Sequence, residues 1–374
     1  RVFIRSFVFF LLMPATPTAV FCQSMATGTV INESAHFKSL EGNLLDDSPD
    51  RSFAVYLPPS YQKEKKKRYP VVYLLHGYGL TFETWTAEPQ LTGREIKVAN
   101  VPRIADKVVS SGSVREMIIV MADGMNKLGG AFYTNSATTG NWEDSITQDL
   151  VGYIDRKYRT LARPASRGIA GHSMGGYGAV KLAMKHPEIF GAVYAMSACC
   201  LEFDRAWTPA SPAWGKALSI MNMDDFVALQ KIVAEGDRKD PNWFIAFIAK
   251  GSVAVAAAFS PNPERPPFFG DFPIEQRGDT LVAAERPKAA WVANLPVPML
   301  GQYRSNLARL RGIGFDVGKQ DFNPDLIVQA HDLDAALTVN GIRHEFEEYM
   351  GTHSDKIAER VESKVLPFFS RVLE

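Results

Sequence analysis

The chain has 374 residues, of which 46% are hydrophobic and 22% are charged, and its formal net charge is +0. This length is sufficient for one large α/β core of about 250–300 residues together with an insertion. Balanced charge argues against nucleic acid or an anionic membrane surface as the main partner. The basic run at residues 63–68 lies between two prolines and a predicted strand, which favours a solvated loop.

The first 24 residues have the pattern of a secretory signal peptide. Arg1 and Arg5 precede an apolar run at residues 7–13, and small and polar residues follow as far as Ser24. The apolar run is too short to span a bilayer. We therefore expect a secreted or periplasmic protein without stable membrane insertion, in which residues 25–374 form the folded domain.

A continuous apolar run at residues 71–75 predicts a strand that is buried on both faces of a sheet. It is followed by His-Gly-Tyr-Gly at residues 76–79, where glycines on both sides of Tyr78 allow the backbone to turn its amide outward. A plain turn is the alternative interpretation. Trp85 and Trp142 lie on predicted loops of the same domain and are candidates for lining a substrate pocket.

Residues 171–175 read Gly-His-Ser-Met-Gly, a G-x-S-x-G motif, and they are the most informative segment of the chain. A short apolar stretch precedes the motif, and a helix-like run at residues 176–185 follows it. In this strand–turn–helix context, small flanking residues let the turn close tightly and expose the serine hydroxyl. Ser173 is the predicted nucleophile, and the backbone amides of Met174 and Tyr78 are the predicted oxyanion-hole donors.

The segment after the predicted strand at residues 192–197 begins with Cys199-Cys200. Adjacent cysteines cannot join distant parts of a fold, so we expect them to be core residues at a strand end. The next segment, at about residues 201–310, is much longer than a normal crossover and is rich in aromatic residues. We interpret it as a lid insertion over the serine; the alternative is that its aromatic residues form a small core of their own.

A serine nucleophile needs a histidine base, and three histidines follow Ser173 at a useful distance. His331 falls within a predicted helix, and His344 within the predicted strand at residues 342–349. His353 comes directly after the turn that ends this strand, at the sheet edge where open α/β sheets place their chemistry. His353 is therefore the predicted base.

The acid that orients the base is predicted in the loop after the strand at residues 313–317. Asp321 is the best candidate because it lies beyond the end of that strand. Asp316, inside the strand, is the second candidate. Asp325 is interpreted as the N-cap of the following helix.

Residues 321–325 also begin like a calcium loop, but the pattern lacks the glycine and the glutamate that such a loop needs at its sixth and twelfth positions. Nothing in the sequence indicates a cofactor or a metal.

These motifs resemble the putative-esterase family of α/β-hydrolases, which includes esterase D and S-formylglutathione hydrolase, feruloyl esterase domains and mycolyltransferases. The matching segments are residues 69–77, 149–160, 171–179, 318–321 and 351–353. The resemblance implies an α/β-hydrolase fold, with a mostly parallel central sheet, helices on both faces and a helical lid before the acid-bearing strand. It also implies that Ser173, Asp321 and His353 form the catalytic triad.

The resulting hypothesis is a serine carboxylesterase that acts through an acyl-enzyme on small or aromatic esters, such as feruloyl or acetyl groups carried by polysaccharide. Two alternatives stay open at this point. One is a thioester hydrolase of the S-formylglutathione type, and the other is an acyltransferase of the mycolyltransferase type or a non-catalytic relative. The sequence identifies neither the acyl group nor the oligomeric state.

Overall fold

The structure is a computed structural model that describes residue 2 and residues 27–87 and 99–374. Apart from residue 2, the predicted signal peptide lies outside the described residues, and so does Cys22. The strands of the described part are β1 (Thr29–His36), β2 (Asp50–Leu57), β3 (Val71–Leu75), β4 (Ile118–Ala122), β5 (Asn135–Ser136), β6 (Gly140–Asn141), β7 (Arg167–His172), β8 (Ala192–Met196), β9 (Ile274–Arg277), β10 (Thr280–Ala283), β11 (Gly312–Gly318) and β12 (Glu345–Tyr349).

Eight of these strands form one sheet in the order β1-β2-β4-β3-β7-β8-β11-β12. The pairs from β4 to β12 are parallel, whereas β1 pairs with β2, and β2 with β4, in antiparallel register. The predicted mostly parallel sheet is therefore confirmed. Because parallel strands end at the same edge, the loops after β3, β7, β8, β11 and β12 lie at one side of the molecule.

The helices of the described part are α1 (Val101–Ser110), α2 (Trp142–Asp144), α3 (Val151–Lys157), α4 (Met174–Lys185), α5 (Ala213–Leu218), α6 (Met223–Glu235), α7 (Pro241–Phe259), α8 (Glu285–Val292), α9 (Pro296–Leu307), α10 (Pro324–Val339), α11 (Ile357–Arg360) and α12 (Leu366–Val372). A π-helical segment, Ser145–Leu150, joins α2 to α3, and a second one, Val361–Val365, joins α11 to α12.

The central strands are buried on both faces, and alternate residues enter two separate hydrophobic clusters. In β3, Tyr73 packs in a cluster that includes residues of α4 and α7, whereas Val72 and Leu74 pack in a cluster with residues of α1 and α12. Successive side chains of a strand point to opposite faces, so a continuous apolar strand needs a cover on both sides. Helices on both faces provide that cover, as predicted.

Between β8 and β11 the chain forms α5 to α9 and the hairpin of β9 and β10. Helix α7 is long and apolar enough to cross a bilayer by length and composition, with a mean hydropathy of 1.5, but 67% of its most apolar window is buried inside the protein. Burial of this kind is typical of a core helix. The movement of this segment as a lid remains a prediction.

Gly175 allows α4 to lie directly on β3. A Cβ atom at this position would overlap the carbonyl oxygen of Leu75, which is backbone and cannot rotate away. We expect Gly175→Ala to lower the free energy of unfolding by about 3 kcal/mol or more, measured by urea denaturation.

The matched control for that substitution is Gly301→Ala. Gly301 is exposed within α9, and a Cβ atom there would meet nothing within 4 Å. Because alanine is the better helix former, this variant should gain about 0.5–1 kcal/mol. Equal loss of stability in both variants would contradict the close contact of α4 with β3.

Candidate active site

Ser173 occupies a strained turn between β7 and α4. Its backbone has φ 57° and ψ −119°, a region that side-chain-bearing residues rarely adopt. The turn is held on both sides, because the Ser173 N–H donates to the carbonyl of Met196 (3.0 Å) and the Ser173 carbonyl accepts from the Tyr177 N–H (3.0 Å). This strained backbone conformation places the half-buried Ser173 side chain at the carboxyl edge of the sheet.

His353 and Asp321 form a hydrogen-bonded pair at the same edge. His353 Nδ1 lies 2.7 Å from Asp321 Oδ2, and the Asp321 side chain is fully buried. An ionised carboxylate only accepts hydrogen bonds, so Nδ1 carries the proton and Nε2 is the ring nitrogen left to accept one. The loops that bear the two residues are joined by a hydrogen bond from the Gln320 N–H to the Gly351 carbonyl (2.9 Å).

Ser173 and His353 line the same cavity, which has a volume of about 70 Å³. Within the described part of the chain, no hydrogen bond connects their side chains. Most of the cavity wall is apolar, and its aromatic members are Tyr78, Phe132, Trp207, Phe247 and Phe322. An aromatic, mostly apolar wall of this kind is typical of a site for a small organic ligand.

The backbone amides of Met174 and Tyr78, the predicted oxyanion-hole donors, have no hydrogen-bond acceptor among the described residues. Met174 is the first residue of α4, so its N–H has no acceptor within the helix. Across the cavity, no described residue accepts a hydrogen bond from the Tyr78 N–H. Gly77 lies against Ser173, because a Cβ atom at Gly77 would be 3.3 Å from the Ser173 Cβ atom.

His76 fixes the backbone that carries Tyr78, a role that sequence reasoning missed. The side chain is fully buried, and its Nε2 accepts a hydrogen bond from the Gly124 N–H at 2.7 Å. With Nε2 accepting, Nδ1 donates to the Gly77 carbonyl at 2.9 Å. The imidazole therefore ties the loop after β3 to the loop after β4, where both strands end.

His172, the second residue of the G-x-S-x-G motif, supports the loop of His353. Its Nε2 donates to the carbonyl oxygen of His353 at 2.7 Å, and the two rings lie 4.6 Å apart. Burial, together with the neighbouring His353, lowers the pKa of His172 to about 3, so the ring is a neutral donor at neutral pH. No sequence pattern indicates this contact, since any residue fits the second position of the motif.

We expect His172→Phe to lower kcat about tenfold with little change in KM. Phenylalanine keeps the ring packing but leaves the buried His353 carbonyl without its donor, which costs about 1–3 kcal/mol. Steady-state kinetics with a p-nitrophenyl ester measures this. His331→Gln is the control, because His331 is exposed and bonds only Glu348. Equal effects of the two substitutions would contradict a positioning role.

The two other acidic candidates have different surroundings. Asp316 is buried inside β11, where its carboxylate accepts from Arg360 Nε and the Tyr194 hydroxyl, both at 2.9 Å. Burial raises the pKa of Asp316 to about 6 in spite of Arg360. The prediction that Asp325 caps α10 is wrong. The cap is Asn323, whose side chain accepts from the Asp325 N–H, and Asp325 forms an ion pair with Arg205.

The structure does not place Trp85 and Trp142 at the cavity. Both side chains are fully buried in the core, and Trp142 donates to the carbonyl of Thr139 at 2.6 Å. A different tryptophan, Trp207 from the segment after β8, lines the cavity instead. Within the described residues, no three His, Cys, Asp or Glu side chains are grouped so that they could hold a metal ion.

The family model described as "Putative esterase" matches residues 48–240, slightly more than half of the chain. The chain belongs to this family. Curated proteins similar to this chain include an endo-1,4-beta-xylanase/feruloyl esterase of Xylanibacter ruminicola, 31% identical over 140 residues. That match covers 37% of this chain and 18% of the relative. An esterase of Mycobacterium tuberculosis is 26% identical over 219 residues, which cover 51% of this chain and 44% of the relative. The chain thus spans less than half the length of the curated relatives it matches.

Solved structures of esterases share the fold. A ferulic acid esterase superposes with a TM-score of 0.61 at 22% identity, covering 93% of this chain and 99% of that one. An S-formylglutathione hydrolase from Agrobacterium tumefaciens gives a TM-score of 0.56 at 17% identity, covering 94% and 98%. The architecture is the α/β-hydrolase fold, as predicted.

Proposed function

We propose that this member of the putative-esterase family hydrolyses carboxylic esters with Ser173 as nucleophile, His353 as general base and Asp321 as the acid that orients the base. The hydrogen bond of 2.7 Å between His353 and Asp321, at the cavity that Ser173 also lines, carries the proposal. A serine hydroxyl is a weak nucleophile until a neighbouring base takes its proton, so a bare serine at a cavity would not suffice.

The first half of the reaction forms an acyl-enzyme. His353 Nε2 takes the proton of the Ser173 hydroxyl as the oxygen attacks the ester carbonyl carbon. Asp321 holds the imidazole in the required tautomer and stabilises the imidazolium that forms. His353 then gives the proton to the departing alkoxide, and the alcohol leaves.

The oxyanion of each tetrahedral intermediate is stabilised by the N–H groups of Met174 and Tyr78. These donors belong to a helix start and a tightly held loop, so little reorganisation is needed as charge develops. In the second half of the reaction, water takes the place of the alcohol. His353 removes a proton from the water as the water oxygen attacks the acyl carbon. The imidazolium then gives this proton to the Ser173 oxygen as the bond between that oxygen and the acyl carbon breaks, and the carboxylic acid leaves.

The aromatic cavity wall supports an acyl group that is small or aromatic, of the feruloyl or acetyl type. Phe247 and Phe322 contact each other edge to face, at a ring distance of 5.6 Å, and both line the cavity. Aromatic pairs of this kind favour a flat, apolar ligand by stacking and edge contacts. The natural ester would be a small molecule or a group carried by a polysaccharide.

A glutathione thioester has less support from this cavity. Glutathione carries two carboxylates, which are usually bound by Arg or Lys. Among the described residues that line the cavity, none is Arg or Lys. An acyltransferase of the mycolyltransferase type would use the same acyl-enzyme, with a sugar hydroxyl in place of water.

The deciding experiment combines fluorophosphonate labelling with an ester panel. The reagent should label the tryptic peptide that spans residues 168–181, which contains Ser173, and Ser173→Ala should abolish the label. The panel contains methyl ferulate, p-nitrophenyl acetate and S-formylglutathione, each with and without an added alcohol acceptor. Labelling elsewhere, or no ester turnover by folded protein, would refute the proposal. Acylated alcohol as the main product would favour the transferase.

A further inference from the structure

The two adjacent cysteines are core residues just after the end of β8, as predicted, and they also form part of the cavity wall. Cys199 and Cys200 follow β8, and both line the cavity together with Ser173 and His353. Cys199 is half-buried and Cys200 is buried. Their sulphur atoms are 3.0 Å apart. The esterase mechanism described above uses neither thiol.

The local backbone brings the two sulphur atoms together. Neighbouring side chains in extended chain point to opposite sides, which would separate the thiols. Cys200 instead has φ 57°, in the left-handed region, and this breaks the alternation. The conformation is held from both ends, because the Cys199 N–H donates to the Ser173 carbonyl (3.3 Å) and the Leu201 N–H donates to Gln329 Oε1 (3.0 Å).

We propose that Cys199 and Cys200 are a modification site at which a peroxide-class oxidant joins the two sulphurs in a vicinal disulfide. The Cys199 sulphur attacks one peroxide oxygen, the O–O bond breaks, and a sulfenic acid and water form. The Cys200 sulphur then attacks the sulfenic sulphur, the S–O bond breaks and a second water leaves. Two thiols are oxidised, and one hydrogen peroxide is reduced to two waters.

The order of the two steps follows from burial. Cys199 borders the cavity and meets the oxidant first, whereas burial raises the pKa of the Cys200 thiol well above its usual range. Cys200 is therefore the poorer first nucleophile. In the second step, the Cys200 sulphur attacks the Cys199 sulphur, which lies 3.0 Å away before oxidation.

The disulfide should be readily reversible and should reshape the cavity wall. Neighbouring Cα atoms are about 3.8 Å apart, whereas ordinary disulfides span about 4.4–6.8 Å, so the ring is strained and easily reduced. Closing the bond shortens the sulphur separation to about 2.05 Å. Because the Cys199 N–H bonds the Ser173 carbonyl, the rearrangement takes place beside the nucleophile.

The test treats the full-length protein with hydrogen peroxide and then with iodoacetamide, digests it with trypsin and measures the peptides by mass spectrometry. The tryptic peptide spanning residues 186–205 contains both cysteines. We expect this peptide to remain unalkylated and to be lighter than the dithiol form by about 2 Da, the mass of two hydrogens. Dithiothreitol should restore two alkylation sites. Cys199→Ser and Cys200→Ser should each abolish the shift.

Other products would overturn the inference. A sulfinic acid on Cys199 with Cys200 alkylated, or two alkylated thiols after oxidation, would show that the ring does not form. The mass of this peptide is independent of ester hydrolysis, so the result stands apart from the proposed function. If the disulfide forms but KM and kcat stay unchanged for every ester, the claim that it reshapes the cavity wall would be overturned.

Discussion

Ser173→Ala is expected to reduce kcat for ester hydrolysis by about 10⁶, the loss seen when a serine protease loses its nucleophile. No other hydroxyl in the described cavity lies on a strained turn beside the His353–Asp321 pair. Alanine has the same Cβ atom as serine, so the backbone at φ 57° carries no added strain. The melting temperature should stay within a few degrees of the wild-type value.

The matched control is Ser252→Ala. Ser252 lines the same cavity from α7, and its buried hydroxyl has no hydrogen-bond partner within the described residues. Removing this oxygen should change kcat less than about tenfold, because the hydroxyl takes no part in the proposed chemistry. Steady-state kinetics and thermal melts of the two variants make the comparison. Residual turnover above about 1% in Ser173→Ala would rule out the assigned nucleophile.

Ser173→Gly separates the cost of the strained turn from the chemistry. Glycine adopts φ 57° and ψ −119° without the steric penalty of a side chain, which is about 1–3 kcal/mol for other residues. The flexible glycine also stabilises the unfolded chain by about 0.4–1 kcal/mol. We therefore expect an inactive variant that unfolds at a higher urea concentration than Ser173→Ala. A lower urea midpoint for Ser173→Gly than for Ser173→Ala would contradict a strained backbone at this turn.

Asp321→Asn is the second large effect, with an expected loss of about 10⁴ in kcat and a preserved fold. The asparagine amide can donate to His353 Nδ1, which moves the ring proton to Nε2. A protonated Nε2 cannot accept the proton of Ser173. Burst kinetics with a p-nitrophenyl ester should show slow acylation, and the melting temperature should change little because the side chain keeps its size.

Asp316→Asn is expected to lower stability and to preserve most of kcat, the opposite of Asp321→Asn. Comparing the two variants decides which aspartate orients the base. Asp316 bonds Arg360 and Tyr194 inside the sheet, away from His353. Weakening this buried ion pair should cost about 3 kcal/mol of stability and leave kcat within about tenfold. If Asp321→Asn lost only a few-fold in kcat and Asp316→Asn lost about 10⁴, the two roles would be exchanged.

Patterns that depend on near neighbours in the chain were readable from the sequence. The apolar run of β3, the G-x-S-x-G turn and the helix after it follow from local propensity and periodicity, and the structure contains each of them. The position of His353 after a strand was equally local. Family membership and the mostly parallel sheet were predicted correctly from these elements. The signal peptide remains a prediction.

Choices between side chains with similar local patterns needed the tertiary structure. Asp316 and Asp321 lie five residues apart, and only the packing of β11 shows that one faces Arg360 and the other His353. Asn323 caps α10 because the helix begins at Pro324, one residue later, whereas Asp325 lies inside the first turn and pairs with Arg205. These partners of Asp316, Asp321 and Asp325 lie more than 30 residues away in the chain, and no local pattern encodes them.

The candidate nucleophile and its base could be read from the chain alone, because a strand–turn–helix motif around Ser173 and a strand end before His353 are patterns of neighbouring residues. The wall of the cavity, by contrast, could be identified only from the folded chain. The fold put Trp207 there instead of Trp85 and Trp142, it placed His172 behind His353, and it turned two adjacent thiols to the same side. The physical reason is that burial and contact are set by where distant segments pack, and that packing has no fixed spacing along the chain.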